Sequence, residues 1–157
     1  RFYHDRFTKS IRKSELMKNA SQIPEGKLIV LFDGVCNFCN DSIQRIIKND
    51  SKDQFRFASL QSDIGQKLTA ERGIDTSQVD SIILIDPGNA YYIKSTAALR
   101  IAEKMDGFYP ILQIFLILPE SLRDLVYDYV AKNRYQWFGK REECKIPSPE
   151  ERNKFIE

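Results

Sequence analysis

The chain has 157 residues, 42% of them apolar and 29% charged. That suits one domain with a full core and excludes a disordered or membrane-embedded polypeptide. Lys and Arg number 24 against 22 Asp and Glu, so the net charge of +2 gives no general reason to expect nucleic acid. Three cysteines, two of them three positions apart, are not the dense even set of a secreted disulfide scaffold. They favour a reducing compartment, the cytoplasm, where a close pair is reactive or holds a metal.

Residues 1–27 carry seven basic and three acidic side chains with few apolar ones, and read as a solvated basic arm. Ile23-Pro24-Glu25-Gly26-Lys27 is a turn cluster between this arm and the folded body. Leu28-Ile29-Val30-Leu31-Phe32 is a continuous apolar run of strand length, as for a strand buried on both faces. Asp33-Gly34 ends it, and a helix follows in which Cys39, Ile43, Ile46 and Ile47 share one face. Gln54–Ala58 alternates and reads as a second strand, parallel to the first through a right-handed crossover.

Residues 61–72 read as a helix ending at Gly73, and Ser81–Asp86 as another buried strand. Pro87-Gly88-Asn89 turns the chain into a hairpin partner, Ala90–Lys94, after which Ser95 is placed to cap a helix that Gly107 stops. The apolar run 108–118 is broken by Pro110 and Gln113 and is too short to span a bilayer, so it reads as a buried helix or a partner-facing surface. Ser121-Leu122-Arg123-Asp124 resembles a capping box, with Leu122, Leu125, Val126, Tyr129 and Val130 as the apolar stripe of the last long helix. Arg134 reads as a charge complementing that helix's C-terminal dipole and Tyr135 as core, ahead of a role in lining a site. Trp137 and Phe138 would pin a tail in which Cys144 is a bystander. The order is that of an α/β, thioredoxin-like three-layer fold with a central mixed β-sheet plus extra C-terminal helices.

The chemistry centres on Cys36 and Cys39. A Cys-x-x-Cys between a buried strand and a helix places a sulfur at unpaired N–H groups and a partial positive charge, which stabilise a thiolate. Cys36, first in the motif, is expected nearer the mouth and able to attack, and Cys39, one turn later on the apolar face, is expected to be shielded and to resolve the mixed disulfide. Asp33 is either a carrier for the Cys39 proton or a turn residue bonded to backbone N–H groups. Gly34 serves backbone geometry and Phe38 covers the site. Cys36, Cys39, Cys144 and His4 make a weaker Cys3His zinc alternative, since only one pair has ligand spacing. In another alternative the cysteines are inert.

The stretch Leu31-Phe32-Asp33-Gly34-Val35-Cys36-Asn37-Phe38-Cys39 resembles the signature of the DCC family of thiol-disulfide oxidoreductases, whose DxxCxxC pattern is met by Asp33, Cys36 and Cys39. Phe55–Gln61, Lys94–Ala98, Leu118-Pro119 with Arg123-Asp124, Tyr127, and Asn133-Arg134-Tyr135 also look like that family. The resemblance covers about residues 28–147, leaving the arm 1–27 and a polar tail 148–157 outside it. It implies a thioredoxin-like fold and redox activity without a tightly bound cofactor. The partners would be a protein or small-molecule thiol or disulfide and a recycling thiol system. Thioredoxins proper place a cis-proline before a core strand. Here Gln78-Val79-Asp80-Ser81 has none, so Ser81 or the Ser95-Thr96 turn is expected near the thiols.

Overall fold

The computed structural model describes residues 25–77, 81–140 and 148–156. Leu28–Phe32 forms β1, and its Ile29, Val30 and Leu31 are fully buried. β1 pairs in parallel with β2 (Phe55–Ser59), Val30 opposite Phe57, and antiparallel with β3 (Ile83–Asp86), Val30 opposite Leu84. β4 (Ala90–Ile93) is antiparallel to β3, completing a mixed sheet in the order β2-β1-β3-β4. A central strand covered on both faces has no reason to alternate polar and apolar residues, hence the unbroken apolar run.

The covers are helical. α1 (Asn37–Lys48) crosses between β1 and β2, α2 (Asp63–Glu71) follows β2, and α3 (Lys94–Lys104) follows β4. Val30, Phe32, Phe55 and Phe57 meet Ile43 of α1 and Ile101 of α3 on one face. Ile29, Leu31 and Ile85 meet Ile64 and Leu68 of α2 on the other. Each fully buried side chain of this size stabilises the domain by about 1.5–3 kcal/mol relative to exposure. The result is the α/β, thioredoxin-like layering that the sequence predicts.

Beyond α3 lie a 3-10 segment (Tyr109–Ile117) and the long α4 (Glu120–Phe138). Residues 108–118 are therefore not a buried helix; no residue of the 3-10 segment is buried. Two expected caps are also absent. α3 starts at Lys94 behind Ile93, and Ser95 is buried within its first turn, donating to Asp124. α4 starts behind Pro119 without a side-chain cap. Asp124, the expected capping acid, is taken by Ser95 instead. No described helix is long and apolar enough to cross a membrane.

Part of the predicted polar tail is tied down. Ile156 donates its N–H to Phe57 O at 2.8 Å and buries its side chain, while Lys154 Nζ reaches Asp53 at 3.0 Å. These contacts cover the outer edge of β2, which would otherwise present unpaired backbone groups.

Candidate dithiol site

The site is built where β1 stops. Past Phe32 the chain turns, with Cys36 N–H donating to Asp33 O at 3.3 Å and Val35 N–H to Asp33 Oδ1 at 3.1 Å. Gln61, beyond β2, donates to Asp33 Oδ1 at 2.8 Å and accepts from Gly34 N–H at 3.0 Å. Asn40, buried in α1, donates to the Gly34 and Cys36 carbonyls, both at 2.9 Å. Cys36 is the N-cap of α1, in extended geometry (φ −84°, ψ 121°), and its Sγ accepts from Cys39 N–H at 3.3 Å. A sulfur thus takes the position that Ser, Thr or Asp usually fills, receiving an N–H that the helix cannot satisfy itself.

Both cysteines are free thiols, and their acidities are driven apart. A hydrogen bond from the Cys39 side chain lowers the Cys36 pKa to about 7, with the Cys39 backbone N–H and the Arg134 charge also lowering it against burial and Asp33. Cys39 is pushed up, first because its thiol is the donor to Cys36, then by burial and the neighbouring thiolate. At neutral pH the thiolate is therefore favoured at Cys36 over Cys39.

Shielding runs opposite to the expectation. Cys36 has 0% exposure, whereas Cys39 is partly exposed. The cause is the end of α4, which crosses the first turn of α1. Lys140 forms an antiparallel bridge with Cys36, Asn37 N–H reaches Gly139 O at 3.4 Å, and Asn37 Nδ2 reaches Phe138 O at 3.0 Å. Phe38, between the cysteines, stacks on Phe138 with ring centroids 4.8 Å apart. Gly139 (φ 88°, ψ 166°) lies in a backbone region nearly reserved for glycine, and a Cβ there would meet Asn37 Nδ2 at 2.9 Å.

Asp33 has a second set of partners. Arg134 Nη2 lies 3.0 Å from its Oδ2, with both side chains buried, and the Tyr135 hydroxyl donates to the same oxygen. Burial and then the bond to Asp33 push the Tyr135 pKa up to about 12. Arg134 is thus a buried partner of Asp33 rather than a dipole-complementing charge at the helix end, and Tyr135 lines the site alongside it. No local spacing signals this pairing across 101 positions. The available clue is chemical: an aspartate in a buried turn requires a cation or several donors.

Ser81 Oγ accepts from Lys94 N–H at 3.3 Å and donates to Ile82 O at 3.1 Å. The Tyr127 hydroxyl accepts from Ile82 N–H at 3.0 Å, and burial raises its pKa to about 12, with Cys39 adding to the rise and Ser81 opposing it. Ser95 and Thr96 instead bond to α4, through Asp124 and Arg123. Residues 78–80, where the cis-proline is missing, lie outside the described residues, as do His4 and Cys144 of the zinc alternative. Among the described residues no group of three His, Cys, Asp or Glu side chains could hold a metal ion.

The model of the DCC1-like thiol-disulfide oxidoreductase family matches residues 30–140, which take in the end of β1, the dithiol and all of α4. The chain belongs to this family. Among its relatives is the uncharacterized protein YuxK of Bacillus subtilis (strain 168), 43% identical over 137 residues, which are 87% of this chain and 98% of the relative. Another is a DCC family protein of Arabidopsis thaliana, described as chloroplastic, 39% identical over 119 residues covering 75% of this chain and 69% of the relative. No solved structure matches. The matched span takes in Arg134 and Tyr135 as well as Asp33, so the buried ion pair lies wholly inside the family's segment.

Proposed function

We propose that the chain exchanges disulfides through Cys36 and Cys39, with Cys36 attacking and Cys39 resolving. The observation that carries this reading is the place of Cys36 at the N-cap of α1, where its Sγ accepts the Cys39 N–H at 3.3 Å and its acidity rises while that of Cys39 falls. The Cys36 thiolate attacks one sulfur of a substrate disulfide; that bond breaks, and the departing sulfur leaves as a thiolate and takes a proton. Cys39 then loses its proton and attacks Cys36 Sγ, so the mixed disulfide breaks and the second substrate thiolate leaves. Two electrons pass to the substrate, and an internal disulfide remains until a partner dithiol reduces it. Run in reverse, the same pair oxidises a dithiol. Asp33 is a candidate acceptor for the Cys39 proton, and Arg134 favours the thiolate at Cys36 by its charge.

A structural role for the CxxC, in a non-catalytic thioredoxin-like binding module, is favoured by one observation, the complete burial of Cys36. The two readings part in one experiment. Under exchange chemistry, Cys39→Ser protein mixed with oxidised glutathione accumulates a mixed disulfide mapped to Cys36, and Cys36→Ser protein accumulates none at Cys39. Absence of the adduct in Cys39→Ser protein over hours at pH 8 would sink the oxidoreductase reading.

A further inference from the structure

α4 is inside out. The side chains it turns toward the domain are polar: Arg123 donates to Thr96 at 3.1 Å, Asp124 accepts from Ser95, and Asp128 pairs with Lys94 at 3.0 Å. Arg134 is its buried residue. Its apolar stripe faces away, with Leu122, Leu125, Val126 and Tyr129 between 50% and 68% exposed. The preceding 3-10 segment contains no charged residue, and its Ile111, Ile114 and Ile117 are 64%, 58% and 82% exposed. Both elements rest on α3.

An outward apolar stripe opposes the usual arrangement, in which the apolar face of a helix meets the core. The four side chains of the α4 stripe expose on the order of 500 Å², near the top of the roughly 300–600 Å² of the largest apolar patch on a typical monomer. Two such stripes packed together bury about 1,000 Å², the lower bound of a specific interface. Residues 108–138 contain three acidic and three basic side chains, so no cationic excess is present to draw an anionic lipid surface. A stripe at i, i+3, i+4 and i+7 is the pattern that packs against another helix, and an uncharged one can meet its own copy without repulsion.

We propose that this face is the interface of a homodimer, with α4 of one copy packed on α4 of a second about a two-fold axis. Analytical ultracentrifugation of the full chain from low to high micromolar concentration tests it. The expected result is twice the chain mass for the wild type, and a single chain mass for Leu125→Glu/Val126→Glu with an unchanged far-UV spectrum. A wild type that sediments as a monomer throughout overturns the proposal, whether or not that monomer binds phosphatidylcholine vesicles. So does a double variant that stays dimeric. Should the double variant fail to fold, Ile114→Glu and hydrogen exchange of the wild type decide instead. Residues 122–129 should then be more protected in concentrated than in dilute protein, and equal protection contradicts the interface.

Discussion

At the residue scale, the acidity of Cys36 is raised first by its hydrogen bond from Cys39, and two charged neighbours of opposite sign adjust it further. Arg134 lowers its pKa and Asp33 raises it, while the two side chains pair 3.0 Å apart. Replacing Arg134 by Met therefore moves the alkylation midpoint of Cys36 upward, and Asp33→Asn moves it downward. Each substitution also breaks this buried pair, which costs about 3–5 kcal/mol. Denaturant unfolding should show that loss in both variants, while their alkylation midpoints shift in opposite directions. A purely structural ion pair predicts the loss of stability without the opposed shifts. The dithiol itself was legible in the sequence, because a buried run, Asp-Gly and Cys-x-x-Cys follow one another within a dozen residues. Arg134 was not, because its partner lies 101 positions away and a basic residue late in a helix has an ordinary local explanation.

At the element scale, the last turn of α4 governs access to Cys36. Phe138, Gly139 and Lys140 lie across the first turn of α1, held by the Asn37 bonds and the Phe38–Phe138 stack. Gly139→Ala places a Cβ where only glycine fits comfortably and costs about 1–3 kcal/mol. The crossing should loosen, so Cys36 alkylates faster while the unfolding midpoint falls. A slower rate, or no change, would show that these residues do not shield the sulfur. Strand positions were readable because continuous apolar runs report burial directly, as in Leu28–Phe32 and Ile83–Ile85. The expected caps do not form, for a physical reason. Ser95 and Asp124 satisfy each other across two helices, a tertiary bond that competes with the local capping geometry their spacing suggests.

For the whole molecule, the C-terminal residues close an open edge of the sheet. Asp53 lies below the usual carboxylate range because Arg56 and then Lys154 hydrogen-bond to it. A lowered carboxyl contributes stability above its ordinary pKa near 4 and loses it as the pH falls through its folded value. The Asp53 side chain is 47% exposed, so screening limits the contribution to about 0.5–1 kcal/mol. Asp53→Asn should cost that much at pH 7 and nothing once the pH falls below the folded value, with earlier proteolysis near residues 152–156. Equal stability of variant and wild type at pH 7 contradicts a structural role for the Lys154 contact. The layered α/β fold was predictable from element order, whereas the outward face of α4 was not. Periodicity reports that a helix has an apolar side but not which way that side points.

Disulfide exchange through Cys36 and Cys39 requires two thiols of unequal acidity. The most direct measurement is the rate of iodoacetamide modification at each cysteine between pH 5 and pH 10, resolved by peptide mass spectrometry. Cys36 should react first, with a midpoint at about pH 7, and Cys39 only at higher pH. Two cysteines that react together, with midpoints near the ordinary thiol value of 9.0, would contradict it.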